Sequence, residues 1–400
     1  MLCLLALSFL YLLVSSTKGV DAFISNPIRQ HVTSSPRSFP SLNIMTKKSR
    51  SLPDLEAVDE DGNAVRIPIK SIERDWTWGD DYKAKGEFSV DLFVPEDRCV
   101  KGCAFFMHGF SQYPIAYRGT LREAADKANV AIIAVETGIT SKIVLEDVKN
   151  KPDGAGREWS QFALQRAVSE DTKQCIRMVL EGDDVFEEYG VTRRAVKNKM
   201  AVMGHSMGGG LSFPVAADFC KDIDYVFTMA PAASAVEEFD PVDAVEKSTA
   251  RNSMLLAGGW DLLAPAGKVR EISAASNKQD KCSSILVDVK QGLHTGFQDR
   301  VVLFSIPLSE GSRIASLIVN ILGFADVIIF QLLQTFLSIL SFNKKRTGQL
   351  AGTRILMDYF LGSMAECKEV TLDGAEKYLD DHLKDSFENN FVFSYPEEKK

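Results

Sequence analysis

The chain has 400 residues, enough for one large domain with a full core and processing segments at its ends. A hydrophobic share of 45% and a charged share of 25% are those of a globular protein, which excludes collagen-like, disulfide-rich miniprotein and wholly disordered classes. The net charge of −8 is uneven: residues 1–52 hold six basic side chains and one acid, which leaves 40 basic against 53 acidic, or −13, for the rest. So acidic a body argues against nucleic acid as a partner, because phosphate binding needs a basic surface.

Residues 1–14 are almost wholly apolar, too short for a membrane span and about right for the core of a signal peptide. Residues 1–22 are expected to be that signal peptide, with cleavage after Val20-Asp21-Ala22. Residues 23–53 carry no acid and abound in Ser, Thr, Arg and Lys, the composition of an organelle transit segment. A signal peptide, then Phe23, then a transit-like stretch resembles the two-part plastid import signal of diatoms and related algae. The resemblance implies a plastid location reached through the secretory route. The alternative is a secreted or endomembrane-lumen protein with a disordered linker.

From residue 54 the pattern changes to short apolar runs separated by longer helical stretches. Residues 86–94 (GEFSVDLFV) alternate like a half-buried strand. Then come CAFFM at 103–107, NVAIIAVET from 129, MAVMG from 200, YVFTMAP from 225, SMLLAGG from 253 and SILVDV from 284. Such runs suit buried strands of a parallel sheet, and helical stretches such as 120–129 and 159–181 lie between them. The alternation predicts an α/β domain over residues 54–365, a mostly parallel central sheet with helices on both faces.

Residues 314–342 are an apolar stretch with Asp326 as its only charge, and polar residues recur at close to a helical period. One straight helix of that length would be about 43 Å long, more than a hydrocarbon core, and Gly323 is expected to break it in two. The stretch is expected to be an amphipathic lid or in-plane membrane contact, with a pair of core helices as the alternative. Residues 347–364 read as a closing helix. The charged tail, 366–400, is expected to be a solvated helix followed by a frayed end.

Gly204-His205-Ser206-Met207-Gly208 follows a buried strand and precedes the helical stretch LSFPVAADFC. A strand that turns this sharply into a helix needs small neighbours, and it holds the serine strained with its oxygen exposed. Ser206 is therefore the candidate nucleophile. Of five histidines, His31 lies in the transit segment, His382 in the tail, His205 beside the nucleophile and His108 at a strand end. His294, in Gly-Leu-His-Thr-Gly after the strand SILVDV, remains as the base. Asp261 follows the strand SMLLAGG and is the candidate acid, with Asp240 and Asp243 as rivals lacking a preceding strand. Acyl transfer also needs fixed N–H donors for an oxyanion, assigned to the backbones of Met207 and Phe110. The Phe110 side chain is expected to wall the acyl pocket, and Trp260 is a candidate substrate contact. No CxxC pair or zinc-ligand spacing is present, and the mechanism needs neither metal nor organic cofactor. Cys99 and Cys103 could bridge only if local geometry allows; free thiols are the simpler reading.

The stretches FFMHGF, GHSMGGG, GGWDLLAP and GLHTGF, spread over roughly residues 85–300, resemble the α/β-hydrolase group of chlorophyllases, dienelactone-hydrolase-like esterases and bacterial polyester hydrolases. The resemblance implies the α/β-hydrolase fold, a triad of Ser206, Asp261 and His294, and oxyanion donors at Phe110 and Met207. Plant chlorophyllases usually carry Arg after the nucleophile, and Met207 resembles the polyester-hydrolase pattern more. Together with the plastid-like address, the resemblance implies a lipophilic ester substrate, chlorophyll's phytyl ester first. A plastid lipase, a galactolipase or a general carboxylesterase is the alternative, and a membrane-associated binding protein without turnover is the second.

Overall fold

The computed structural model describes residues 64–70, 74–75, 83–84, 87–97, 99–110, 112–137, 158–232, 234, 239–247, 250–278, 283–299, 343–383 and 390–395. The expected signal peptide, transit segment and 314–342 stretch lie outside the described residues.

In chain order the strands are β1 (Val65–Lys70), β2 (Arg74–Asp75), β3 (Lys83–Ala84), β4 (Glu87–Phe93), β5 (Cys103–Met107) and β6 (Ala131–Glu136), with helix α1 (Arg118–Ala128) between the last two. Helix α2 (Glu158–Glu181) and two single-turn helices, α3 (Asp184–Glu187) and α4 (Arg193–Val196), lead to β7 (Met200–His205) and α5 (Met207–Asp218). Then come β8 (Tyr225–Met229), α6 (Pro241–Lys247), β9 (Asn252–Gly258), α7 (Ala266–Asn277) and β10 (Ser283–Val289). The chain closes with α8 (Asn343–Ala365), α9 (Leu372–His382) and β11 (Phe391–Ser394).

Nine strands form one sheet in the order β1-β4-β6-β5-β7-β8-β9-β10-β11. The six from β6 to β10 run parallel, while β1, β4 and β11 are antiparallel additions at the two sides. Alternation along each strand sends neighbours to opposite faces. Phe105, Val202 and Leu255 join a core with Leu164, Val215 and Ile272 of α2, α5 and α7. Phe106, Met203 and Leu256 join a second core with Leu121 of α1 and Phe360 of α8. The sheet is thus buried on both faces, which is why its strands read as continuous apolar runs in the sequence.

Two regions differ from the sequence expectation. Strand β1, outside the predicted elements, pairs antiparallel with β4 from Val65↔Leu92 to Lys70↔Glu87. In the tail the expected helix is present, but residues 391–394 form a strand where a frayed end was expected. Helix α9 is capped by Thr371, whose Oγ1 accepts from Gly374 N, and buries Ala375 and Leu379. Strand β11 then pairs with β10 from Leu286↔Ser394 to Val289↔Phe391. Its FVFS is only four residues long and is hidden among charges, yet it covers a strand edge that would otherwise stand open.

Candidate active site

The parallel strands deliver their loops to one edge of the sheet. Register pairs Met107 with Gly204, His205 with Met229, Met229 with Leu256 and Val289 with Gly258, so β5, β7, β8, β9 and β10 end along one edge. The carboxyl ends of parallel strands are where such sheets build their sites.

Ser206 sits between β7 and α5 with φ 55° and ψ −121°, a left-handed conformation unusual for a residue with a side chain. Strain of this kind costs on the order of 1–3 kcal/mol and persists only where surroundings enforce it. Here Ser206 N donates to Met229 O at 2.9 Å, and Ser206 O accepts from Gly210 N at 3.0 Å and Ala232 N at 2.9 Å. A Cβ on Gly208 would lie 2.2 Å from Met107 O, and one on Gly204 would lie 2.3 Å from Gly208 O. Only glycine fits at either position, so the tightness of the turn is written into the local sequence.

The loop after β5 packs on this elbow. A Cβ on Gly109 would be 3.3 Å from Ser206 Cβ, which brings the backbone around Phe110 up to the serine. Met207 is the first residue of α5, where a helix N–H has no partner within the helix. Phe110 and Met207 are both buried and belong to the same apolar core. His108 is buried, with Nδ1 2.8 Å from Gly109 O, and burial holds its imidazole below the usual value and hence neutral.

The other two predicted residues meet directly. Asp261 Oδ2 lies 2.6 Å from His294 Nδ1, and both residues are buried. Strand β9 ends at Gly258, so Asp261 stands in the following turn rather than on the strand. Its other oxygen, Oδ1, accepts from Leu263 N and Ala264 N, each at 2.8 Å, which fixes the carboxylate's orientation. The rival Asp240 instead accepts from Val242 N at 2.7 Å, ahead of α6. Ser206 is 8% exposed, so its hydroxyl is at the floor of the site rather than on an open surface.

Three supports of His294 were not legible in the sequence. Gln349 of α8 reads the backbone of the preceding residue twice: Leu293 N donates to its Oε1, and its Nε2 donates to Leu293 O, both at 3.0 Å. Gly296 leaves room for that amide, since a Cβ there would fall 2.0 Å from Gln349 Oε1. Asp299, just beyond, accepts from Thr120 N at 2.8 Å and from Arg354 Nη2 at 2.8 Å, tying the loop to α1 and α8. In the sequence Gln349 stood only within a stretch read as a closing helix. Trp260 and Leu262, on either side of Asp261, are 47% and 50% exposed. The sequence reading named Trp260 alone.

Cys99 and Cys103 are free thiols, the second wholly buried and with its pKa pushed up by burial. Among the described residues no helix is long and apolar enough to cross a membrane.

A strained serine at the same sheet edge as a buried His–Asp pair brings together the groups that nucleophilic acyl transfer requires. This chain has the α/β-hydrolase fold. Neither a protein-family model nor a curated protein matches it. Among solved structures it is similar to carboxyl esterase 2 from the mycorrhizal fungus Tuber melanosporum, at 14% identity and TM-score 0.39, over 71% of this chain and 92% of that one. It is also similar to a dienelactone hydrolase from Anabaena variabilis, at 14% identity and TM-score 0.38, over 66% and 98%. An S-formylglutathione hydrolase from Agrobacterium tumefaciens matches at 11% identity and TM-score 0.40, over 60% and 93%. The substrates of those enzymes are theirs alone; the fold rests on the strand order and the elbow.

Proposed function

We propose that this chain is a serine ester hydrolase with Ser206 as nucleophile, His294 as general base and Asp261 as the acid that orients the imidazole. The observation that carries the reading is the 2.6 Å pairing of the buried Asp261 and His294 at the sheet edge where the strained Ser206 stands. Ser206 Oγ attacks the ester carbonyl carbon while its proton passes to His294 Nε2. The negative oxygen of the tetrahedral intermediate is met by the N–H groups of Phe110 and Met207. Collapse expels the alcohol, which takes the proton back from His294. Water, deprotonated by His294, then attacks the acyl-enzyme, releases the acid and restores Ser206.

The substrate proposed is a lipophilic ester, with chlorophyll's phytyl ester as the first choice. Supporting it are the exposed Trp260 and Leu262 beside the acid, the chlorophyllase-like motifs and the plastid-like address in residues 1–53. Contact of the apolar 314–342 stretch with a membrane surface belongs to the same proposal. A galactolipase or lipase with the same machinery is the second reading. The test is hydrolysis of chlorophyll a and of a short-chain nitrophenyl ester by the purified chain, beside the Ser206→Ala variant. Chlorophyllide formed by the wild type and lost in the variant is the expected result. Turnover of the nitrophenyl ester alone would keep the triad and discard chlorophyll, and turnover of neither would discard the enzyme reading.

A further inference from the structure

Beside the Ser206–His294–Asp261 group lies a buried polar chain to which the proposed reaction gives no role. His205, the residue before the nucleophile, is wholly buried, and its ring lies 4.7 Å from that of His294 at 45°. Its Nε2 is 3.0 Å from His294 O and its Nδ1 is 2.7 Å from the hydroxyl of Tyr117. The same hydroxyl is 2.5 Å from Gln112 Oε1, which accepts from Gln298 Nε2 at 2.8 Å. The chain thus leads from the loop after β5, through Tyr117, to the backbone of the proposed base.

Proton counting gives this chain a direction. His294 O can only accept, so His205 carries its hydrogen on Nε2. Burial, and secondarily the neighbouring His294, hold the His205 ring neutral, which leaves Nδ1 bare and in need of a donor. The Tyr117 hydroxyl can be that donor, and burial pushes its pKa up so that it keeps its proton. That one proton has two acceptors, Gln112 Oε1 and His205 Nδ1. When it points at Nδ1, both contacts of His205 favour the one tautomer, with Nε2–H toward His294.

From this geometry we propose that His205 is a positioning residue for His294, holding the base by its backbone carbonyl and ring, and that Tyr117 sets the tautomer in which it does so. The inference rests on the reading of His294 as general base. In acyl transfer the base must meet both the serine proton and the leaving group, and a displacement of about 1 Å costs on the order of 100-fold in rate.

The test is steady-state ester hydrolysis by the full chain and by the His205→Phe, His205→Gln, Tyr117→Phe and Tyr117→Phe/His205→Phe variants. Phe keeps the ring and removes the N–H, whereas Gln places an amide N–H close to where Nε2 stands. His205→Phe is expected to lower kcat about 100-fold with KM within about twofold, because the loss is of alignment rather than binding. His205→Gln recovers most of kcat. Tyr117→Phe, which removes a single oxygen, loses about tenfold and adds nothing further in the double variant, the non-additivity of groups acting in one chain. If His205→Phe does not fold, the Tyr117→Phe and His205→Gln variants decide. Active Tyr117→Phe and His205→Phe enzymes with unchanged kcat would overturn the inference alone. A wild-type chain that turns over no ester would overturn the functional reading and this inference with it.

Discussion

The two halves of the candidate site are held in different ways. The nucleophile elbow is enforced within a few residues: Gly204 and Gly208 admit no Cβ, and Ser206 is locked by backbone bonds to Met229, Gly210 and Ala232. The acid–base half has no such local enforcement. His294 stands on a single 3-10 turn, His294–Phe297, and is placed by Asp261 from the loop after β9, Gln349 from α8 and His205 from β7. Steric enforcement is a property of sequence neighbours, whereas placement by remote amides and rings is a property of the folded chain. The first survives almost any change elsewhere; the second is exposed to every element that touches the loop.

Paired substitutions set the two halves against each other. Gly208→Ala drives a methyl to 2.2 Å from Met107 O and is expected to cost at least the ~3 kcal/mol at the upper end for overpacked cores. Gln349→Met keeps the volume and leaves Leu293 N and O unpaired, at about 2 kcal/mol, and also lowers kcat by loosening His294. Denaturant midpoints and kcat measured on both variants decide this. A stable, active Gly208→Ala chain would break the steric account, and a Gln349→Met chain with wild-type kcat would break the account of the loop.

A smaller effect concerns the donor loop and pH. Burial depresses the His108 pKa, so the unfolded chain takes up a proton near pH 6.5 that the folded chain refuses. The stability this lends is fully present above pH 6.5 and is lost as pH falls below it. Below pH 6.5, wild type should lose stability relative to His108→Gln by up to about 1.4 kcal/mol per pH unit. Parallel stability curves for the two proteins between pH 7 and 5 would contradict it.

The same contrast explains what the sequence made legible. The parallel sheet was readable because strands buried on both faces become continuous apolar runs, such as CAFFM and MAVMG. Ser206 was readable from its glycines, and His294 by elimination among five histidines. Gln349, Asp299 and the contact of His205 with His294 were not, because each joins residues at least 55 apart through a few hydrogen bonds. Strand β11 escaped for a related reason: four residues carry too little periodicity to stand out until β10 is there to pair with them.

The central claim is that Ser206 is a nucleophile activated by His294. Reaction of the purified chain with a fluorophosphonate probe, with the adduct located by mass spectrometry, tests it most directly. The account predicts one adduct, on Ser206, absent from Ser206→Ala and formed far more slowly in His294→Ala. No adduct, or labelling at the same rate in the His294→Ala variant, would contradict it.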